Sequence, residues 1–174
     1  MQQAIESNRL ILRPFSLADA KRVAELAGDK QISEMTANIP YPYSVSDAES
    51  WICTHEALFL SGKGVVYAIV IKDTSEVIGA ISFLKLENGL GTLGYWLGVS
   101  CWGRGYATEA SKSLISYAKK HYGLTKLQVM HLVGNERSKS VITKLGVKYI
   151  GDKVNRMQGK DRKDRKVSVY ISEV

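Results

Sequence analysis

Residues 93–113 read LGYWLGVSCWGRGYATEASKS, a stretch that joins a strand, a turn and the start of a helix. An apolar, aromatic run typical of a buried strand leads into the glycine pair Gly103 and Gly105, and a helical pattern follows. Backbone N–H groups and the helix dipole at such a start favour an anion, and small residues let it approach closely. The stretch therefore predicts a site for a phosphate-bearing cofactor, with an ordinary tight turn as the alternative.

The composition is that of one globular domain over residues 1–174, because 45% of the residues are hydrophobic and no long linker divides them. No apolar run approaches the roughly 20 residues that span a bilayer, and residues 1–10 lack the hydrophobic stretch of a secretory signal. We therefore expect a cytoplasmic protein with no membrane partner. Cys53 and Cys101 form neither a disulfide framework nor a metal-ligand spacing, so we also expect no metal.

The positive charge is concentrated in one segment, residues 153–166. Of the formal net charge of +7, five units lie there, because the segment holds seven basic and two acidic residues. Such a segment either attracts an acidic partner or forms a solvated loop. It contains no aromatic residue, so stacking on nucleic-acid bases is not indicated and we expect no specific nucleic-acid partner.

The remaining patterns predict a mixed α/β domain, with a central sheet of about seven strands flanked by about four helices. Short turns between the second, third and fourth strands indicate antiparallel hairpins. Ser46 and Glu49 form the predicted capping box of the second helix, and residues 153–166 are expected to be a long loop. The predicted strands are 8–15, 65–71, 77–86, 91–99, 127–133, 147–150 and 167–171, and the predicted helices begin at 16, 46, 106 and 135.

A second pattern, NERSKSVITKLG at residues 135–146, follows the predicted fifth strand. With WGRGYATEA at 102–110, it resembles the GCN5-related N-acetyltransferase (GNAT) family, in particular the RimJ/RimL ribosomal-protein N-terminal acetyltransferases. RLILRPF, IPYPY and GYWL, at residues 9–15, 39–43 and 94–97, are similar to the same subgroup, so the resemblance covers nearly the whole chain. It implies an acetyl-CoA-dependent enzyme whose cofactor lies where the fourth and fifth strands splay apart.

The resemblance also implies which residues contact acetyl-CoA. Backbone groups of Leu97 and Val99 would pair with the pantetheine arm and thioester carbonyl, and Asn135 and Ser138 would reach the pantetheine or the acetyl group. Trp102 stands where most of the family has Gln or Arg, which leaves a backbone contact there. The pyrophosphate would lie along the turn, at Trp102, Gly103, Arg104, Gly105, Tyr106, Ala107 and Thr108.

The expected chemistry is direct attack of a neutral amine on the thioester, which requires loss of a proton from nitrogen and stabilisation of the departing thiolate. Many relatives supply a tyrosine from the fourth helix as the acid, but that position here is Ile142. Ser138 is the substitute candidate, with helix capping as its other role. His131 is the candidate base, although strand alternation allows its side chain to face either the opening or the opposite core. Deprotonation of the amine through water is the other alternative. We interpret Glu109 as serving the helix dipole and capping.

The substrate is the least determined part of the interpretation. The resemblance favours the N-terminal α-amine of a protein, of the ribosomal-protein type, as the amine substrate. Small amines, polyamines and antibiotics are alternatives, because similar folds acetylate them. A ribosome- or RNA-binding protein and a CoA-binding protein without catalysis are alternatives of another class. The oligomeric state, a homodimer included, is left open.

Overall fold

The structure is a computed structural model that describes residues 1–156 and 164–174, and an eight-stranded sheet runs through them. The helices are α1 (Ala20–Ala27), α2 (Lys30–Met35), α3 (Val45–Cys53), α4 (His55–Leu60), α5 (Tyr106–His121) and α6 (Glu136–Leu145). The strands are β1 (Ile5–Glu6), β2 (Leu10–Arg13), β3 (Val65–Ile71), β4 (Val77–Glu87), β5 (Leu90–Leu97), β6 (Lys126–Leu132), β7 (Tyr149–Asn155) and β8 (Arg165–Glu173). The predicted mixed α/β fold is confirmed, with one more strand and two more helices than expected.

The sheet contains one parallel pair, β5 with β6, in the order β1-β2-β3-β4-β5-β6-β8-β7. The pairing extends only from Leu90 opposite Lys126 to Leu93 opposite Val129. Beyond these residues, β5 continues along β4 and β6 continues along β8. Within the described part of the chain, the two strands therefore separate and leave an opening, at the position that the resemblance implied.

The two faces of the sheet carry different layers. Helix α5 packs on one face through Ala110, Leu114 and Ala118, none of which is exposed, against core residues that include Tyr67 and Phe83. Helices α1 and α3 form a separate cluster with the aromatic side chains Phe15, Trp51 and Trp96. Successive side chains of a strand point to opposite faces. Tyr95 accordingly packs with the α5 layer and Trp96 with the α1 and α3 layer.

The second predicted helix differs most from the structure. Its capping box is formed by Ser44 and Asp47, two residues earlier than the predicted pair, because the Ser44 hydroxyl accepts from the Asp47 N–H and the Asp47 carboxylate accepts from the Ser44 N–H. The prediction of Ser46 and Glu49 is therefore wrong. The helix also ends at Cys53, and a second helix, α4, begins at His55.

Most strand ends differ from the prediction by one to five residues, and the ends of β5, β7 and β8 bear on the predicted site and the basic segment. β5 ends at Leu97, and Val99 opens a short 3-10 turn, Val99–Cys101, instead of continuing the strand. The long loop predicted at 153–166 is wrong at both ends, because residues 153–155 pair with residues 165–167 as part of β7 and β8. The middle of that segment, 157–163, lies outside the described residues. Within residues 1–156 and 164–174, none of the helices combines the length and the apolar character that a membrane span requires.

Candidate active site

The glycine turn ends directly at the N-terminus of α5. Gly103 and Gly105 have φ values of +74° and +80°, a region that suits glycine because it has no Cβ. Gly105 is the N-cap of a 16-residue helix, and its position lacks a side-chain cap. A Cβ built at Gly103 would meet no atom within 4 Å in the described structure, so the turn is open on that side. The helix start thus presents its unpaired N–H groups and positive dipole end next to open space.

Arg9, which precedes β2, contacts the glycine turn and stabilises it. Its guanidinium donates from Nη1 to the carbonyl of Arg104 at 3.0 Å and lies 4.6 Å from the centre of the Tyr106 ring. A Cβ at Gly105 would approach Nη2 of Arg9 at 3.4 Å. Arg9 lies in the connection between β1 and β2, which pair as an antiparallel N-terminal hairpin. The N-terminal hairpin therefore supports the conformation of the turn, through a contact that the sequence pattern did not reveal.

Glu109 anchors this hairpin to α5. Its carboxylate accepts three hydrogen bonds of 2.7 Å, from the Ser7 hydroxyl, the Arg9 backbone N–H and Arg9 Nε. Burial alone would raise the pKa of Glu109, but the hydrogen bonds from Arg9 and Ser7 and the charge of Arg9 together hold it below the ordinary value. Glu109 lies in the first turn of α5, as the dipole interpretation expects, but its capping role is wrong, because its carboxylate binds Ser7 and Arg9 instead of the start of the helix.

The end of β5 is closed by Trp102. Its indole Nε1 donates to the Leu97 carbonyl at 2.8 Å, and its backbone N–H donates to the Val99 carbonyl at 3.2 Å. The guanidinium of Arg137, on α6, stacks on the indole at 4.2 Å from the ring centre. Leu97 and Val99 thus lie at the opening, with their carbonyls already engaged in holding the turn.

The first turn of α6 faces the opening from the other side. Asn135 caps the helix, since its Oδ1 accepts from the Ser138 N–H at 3.2 Å. The Ser138 hydroxyl does not serve as the cap; it lies 2.9 Å from the phenol oxygen of Tyr95. Burial raises the pKa of Tyr95 to about 12, against the opposing effect of the Ser138 hydrogen bond. Tyr95 was not among the predicted site residues, although its place in the GYWL run was visible.

His131 lies on the diverging part of β6, but in the core. It is 7% exposed, and its ring nitrogens lie 2.9 Å from the Leu132 carbonyl and 3.2 Å from the Tyr170 hydroxyl. In the described residues, these two contacts of His131 reach neither the glycine turn nor Ser138. The role of His131 as a base stays a prediction.

The opposite face of β5 carries an aromatic cluster around Trp96. The Trp51 ring lies 6.5 Å from that of Trp96 and 4.4 Å from that of His55, and Phe15 lies 5.1 Å from Trp51. His55 is 7% exposed, and its ring nitrogens have no partner among the described residues. Burial lowers the pKa of His55 to about 4, so it is neutral near pH 7. No three His, Cys, Asp or Glu side chains form a metal-type cluster within the described ranges.

The separating parallel strands and the glycine turn define a mixed α/β domain with a split sheet beside an uncapped helix start. Residues 9–148 match the family model described as an acetyltransferase (GNAT) domain. The uncharacterized N-acetyltransferase p20 of Bacillus licheniformis is 32% identical over 128 residues, covering 72% of this chain and 71% of that protein. The chain therefore belongs to the GNAT family of N-acetyltransferases.

Solved structures share the fold at low sequence identity. RimL, the ribosomal L7/L12 α-N-protein acetyltransferase, solved with coenzyme A, superposes with a TM-score of 0.87 at 19% identity, over 99% of this chain and 98% of that one. MccE, the microcin C7 self-immunity acetyltransferase, solved with acetyl-CoA and AMP, gives a TM-score of 0.85 at 19% identity, over 97% and 94% of the chains. At such identity the likeness establishes the fold and leaves the substrate open.

Proposed function

We propose that residues 1–174 form one domain that transfers an acetyl group from acetyl-CoA to a primary amine, and that this amine is the N-terminal α-amine of a protein. The observation that carries the proposal is the opening between β5 and β6 beside the uncapped N-terminus of α5. An anionic pyrophosphate fits the open, positively polarised turn. An extended pantetheine arm fits between two strand edges, because it pairs with N–H and C=O groups as a strand would.

In this arrangement the turn residues bind the pyrophosphate and the separated strands bind the arm. Asn135 would position the first turn of α6, and Ser138 would face the reacting thioester, while His131 is retained as a candidate base. Acetyl-CoA supplies the activated acetyl group; the residues of the chain hold it and exclude water. The proposed contacts are Leu97, Val99, Trp102, Gly103, Arg104, Gly105, Tyr106, Ala107, Thr108, Asn135 and Ser138.

The ionisation of amines supports an α-amine as substrate. An α-amino group has a pKa near 7.7–8.0, whereas a lysine side chain titrates near 10.4. At pH 7.5 roughly a third of α-amines are neutral, against roughly one lysine in a thousand. An amine that already loses its proton near neutral pH places the smallest demand on a base such as the candidate His131.

The surroundings favour a protein over a polyamine. Basic residues Lys153, Arg165 and Lys166 lie on β7 and β8, and a positive surface repels a polycation and attracts an acidic chain. The likeness to RimL, whose name states action on a ribosomal protein α-amine, agrees with this choice. The likeness to MccE keeps a small-molecule amine as the second candidate.

The test is release of free thiol from acetyl-CoA against three sets of acceptors: peptides with varied first residues, the same peptides with a blocked N-terminus and a free lysine, and small amines. We expect turnover with free N-termini and none with the blocked peptides. Turnover with blocked peptides or with small amines alone would contradict the proposed substrate class. Thiol release from no acceptor, with acetyl-CoA bound, would favour a binding protein without catalysis.

A further inference from the structure

The opening between β5 and β6 is bridged by one pair of hydroxyl groups. Tyr95 comes two residues after Leu93, the last residue of β5 that pairs with β6, so it lies on the diverging part of the strand. Ser138 lies in the first turn of α6, on the far side of the opening. Their oxygens are 2.9 Å apart. The pair therefore joins the two elements between which the thioester would lie.

The Tyr95 hydroxyl lies near two atoms of Ser138, Oγ at 2.9 Å and the backbone carbonyl at 3.4 Å. Either oxygen of the hydroxyl pair can be the donor at 2.9 Å. Burial raises the pKa of Tyr95 to about 12, so the phenol is protonated near neutral pH and can donate. When Tyr95 donates to Ser138 Oγ, the Ser138 hydroxyl can direct its own proton elsewhere.

Helix α6 itself contains no tyrosine that could donate to the sulfur of the thioester. Ile142, one turn beyond Ser138, is fully buried in the main core and has no polar atom in its side chain. A buried phenol needs a hydrogen-bond partner for its hydroxyl whatever its role, so the choice of partner is the informative observation. In the described residues the Tyr95 hydroxyl has two hydrogen-bond partners, and both are atoms of Ser138.

We propose that Tyr95 is a positioning residue that orients the Ser138 hydroxyl toward the departing sulfur of the thioester, so that a strand supplies the phenol that α6 lacks. This inference rests on the proposed function. In the step it serves, the bond from nitrogen to the acetyl carbon forms and the bond from that carbon to sulfur breaks. The proton lost by nitrogen equals the proton gained by sulfur, so no other reactant is needed. Ser138 donates a hydrogen bond to the sulfur as negative charge develops there.

The first arm of the test compares Tyr95→Phe, Ser138→Ala and the double variant with the wild type in steady-state acetylation. We expect each single variant to lower kcat about tenfold or more, with acetyl-CoA affinity within about threefold. The double variant should lose no more than the Ser138→Ala variant, because Tyr95 acts through Ser138.

Tyr122→Phe is the matched control. The hydroxyls of Tyr122 and Tyr67 also lie 2.9 Å apart in the same core layer, and neither residue belongs to β5, β6 or α6. This variant removes one hydroxyl from a comparable pair and should leave kcat unchanged. Equal losses in Tyr95→Phe and Tyr122→Phe, additive losses in the double variant, or a loss confined to acetyl-CoA affinity would overturn the inference.

The second arm needs no turnover. Calorimetry measures the affinity for coenzyme A from pH 7 to 10, as its thiol ionises. Hydrogen bonds to a thiolate favour the ionised form, so the wild type should gain affinity over Tyr95→Phe by about threefold or more as the pH rises. A constant ratio would overturn the inference even if the wild type acetylates amines. Absence of acetylation by the wild type would contradict the proposed function instead, and the pH series would still decide whether the pair acts on the sulfur.

Discussion

Replacing Glu109 with glutamine tests whether its carboxylate clamps the N-terminal hairpin to α5. The substitution keeps the size of the side chain but removes the charge and turns one acceptor into a donor facing Ser7 or Arg9. Three hydrogen bonds of 2.7 Å are affected. Hydrogen bonds to charged groups contribute about 1.5–3 kcal/mol each, but Arg9 is 44% exposed and one acceptor remains. We therefore expect a loss of about 2 kcal/mol in unfolding free energy, or about 4–8 °C in Tm for a domain of this size.

Glu136→Gln is the matched control. Glu136 also lies in the first turn of a helix, α6, but its side chain is 74% exposed and its ion pair with Lys139 spans 3.7 Å. A residue that serves only the helix dipole contributes about 0.3–1 kcal/mol, so this variant should lose no more than about 1 kcal/mol. Equal changes in Tm for the two variants, measured by calorimetry at pH 7, would refute the clamp.

The pH dependence gives Glu109 a second signature. The folded pKa of Glu109 is held below its ordinary value, so the carboxylate stabilises the fold above the unfolded pKa, about 4.3, and this contribution is lost as pH falls through the folded pKa. The difference in Tm between the wild type and Glu109→Gln should be constant from pH 5.5 to 8 and should shrink below about pH 4. A difference that persists undiminished to pH 3 would show that the charge is not its source.

Three further perturbations follow from the structure. Gly105→Ala and Gly123→Ala place a methyl group at φ values of +80° and +66°, so each should cost about 1–2 kcal/mol, but calorimetry should show weaker acetyl-CoA binding for Gly105→Ala alone. Asp19→Asn breaks the paired 2.8 Å contacts with Arg13 and should lower the free energy of unfolding by about 3 kcal/mol. Arg13 and Ser16 hold the pKa of Asp19 below its ordinary value despite burial. The loss relative to the wild type should therefore diminish below about pH 4. Leu114→Ala empties a fully buried position in α5 and should cost about 2–5 kcal/mol in urea unfolding, without a change in the KM for acetyl-CoA.

Elements with a strong local signal were predicted well. β3 was predicted at 65–71 and observed at Val65–Ile71, because an uninterrupted β-branched run between turn residues permits little else. The start of α5 at Tyr106 was also predicted, since the two glycines stop the preceding segment and the helical pattern begins directly after them. The family pattern then located the opening between β5 and β6, which no local signal of either strand reveals.

The features that were missed depend on contacts distant in sequence. Helix α2 has only six residues, and it is held by its Asp29 cap and by buried Ile32 instead of a repeating apolar stripe. The hydrogen bond of Tyr95 with Ser138 joins residues 43 positions apart. Alternation along β5 assigns Tyr95 to one of two faces, but the residue that meets it is decided by where α6 crosses the sheet. The contact of Arg9 beneath the glycine turn escapes prediction for the same reason.

The clamp at Glu109 also has a consequence for folding during translation. Arg9 and Glu109 are 100 residues apart, and a ribosome adds roughly 5–20 residues per second. The N-terminal hairpin is therefore synthesised roughly 5–20 s before the residue that anchors it. During that interval the edge of β2 that faces β3 has no partner until β3 follows, and Arg9 cannot yet contact the glycine turn. Nascent chains arrested before residue 109 should consequently expose this hairpin to proteases and chaperones, whereas longer chains should protect it.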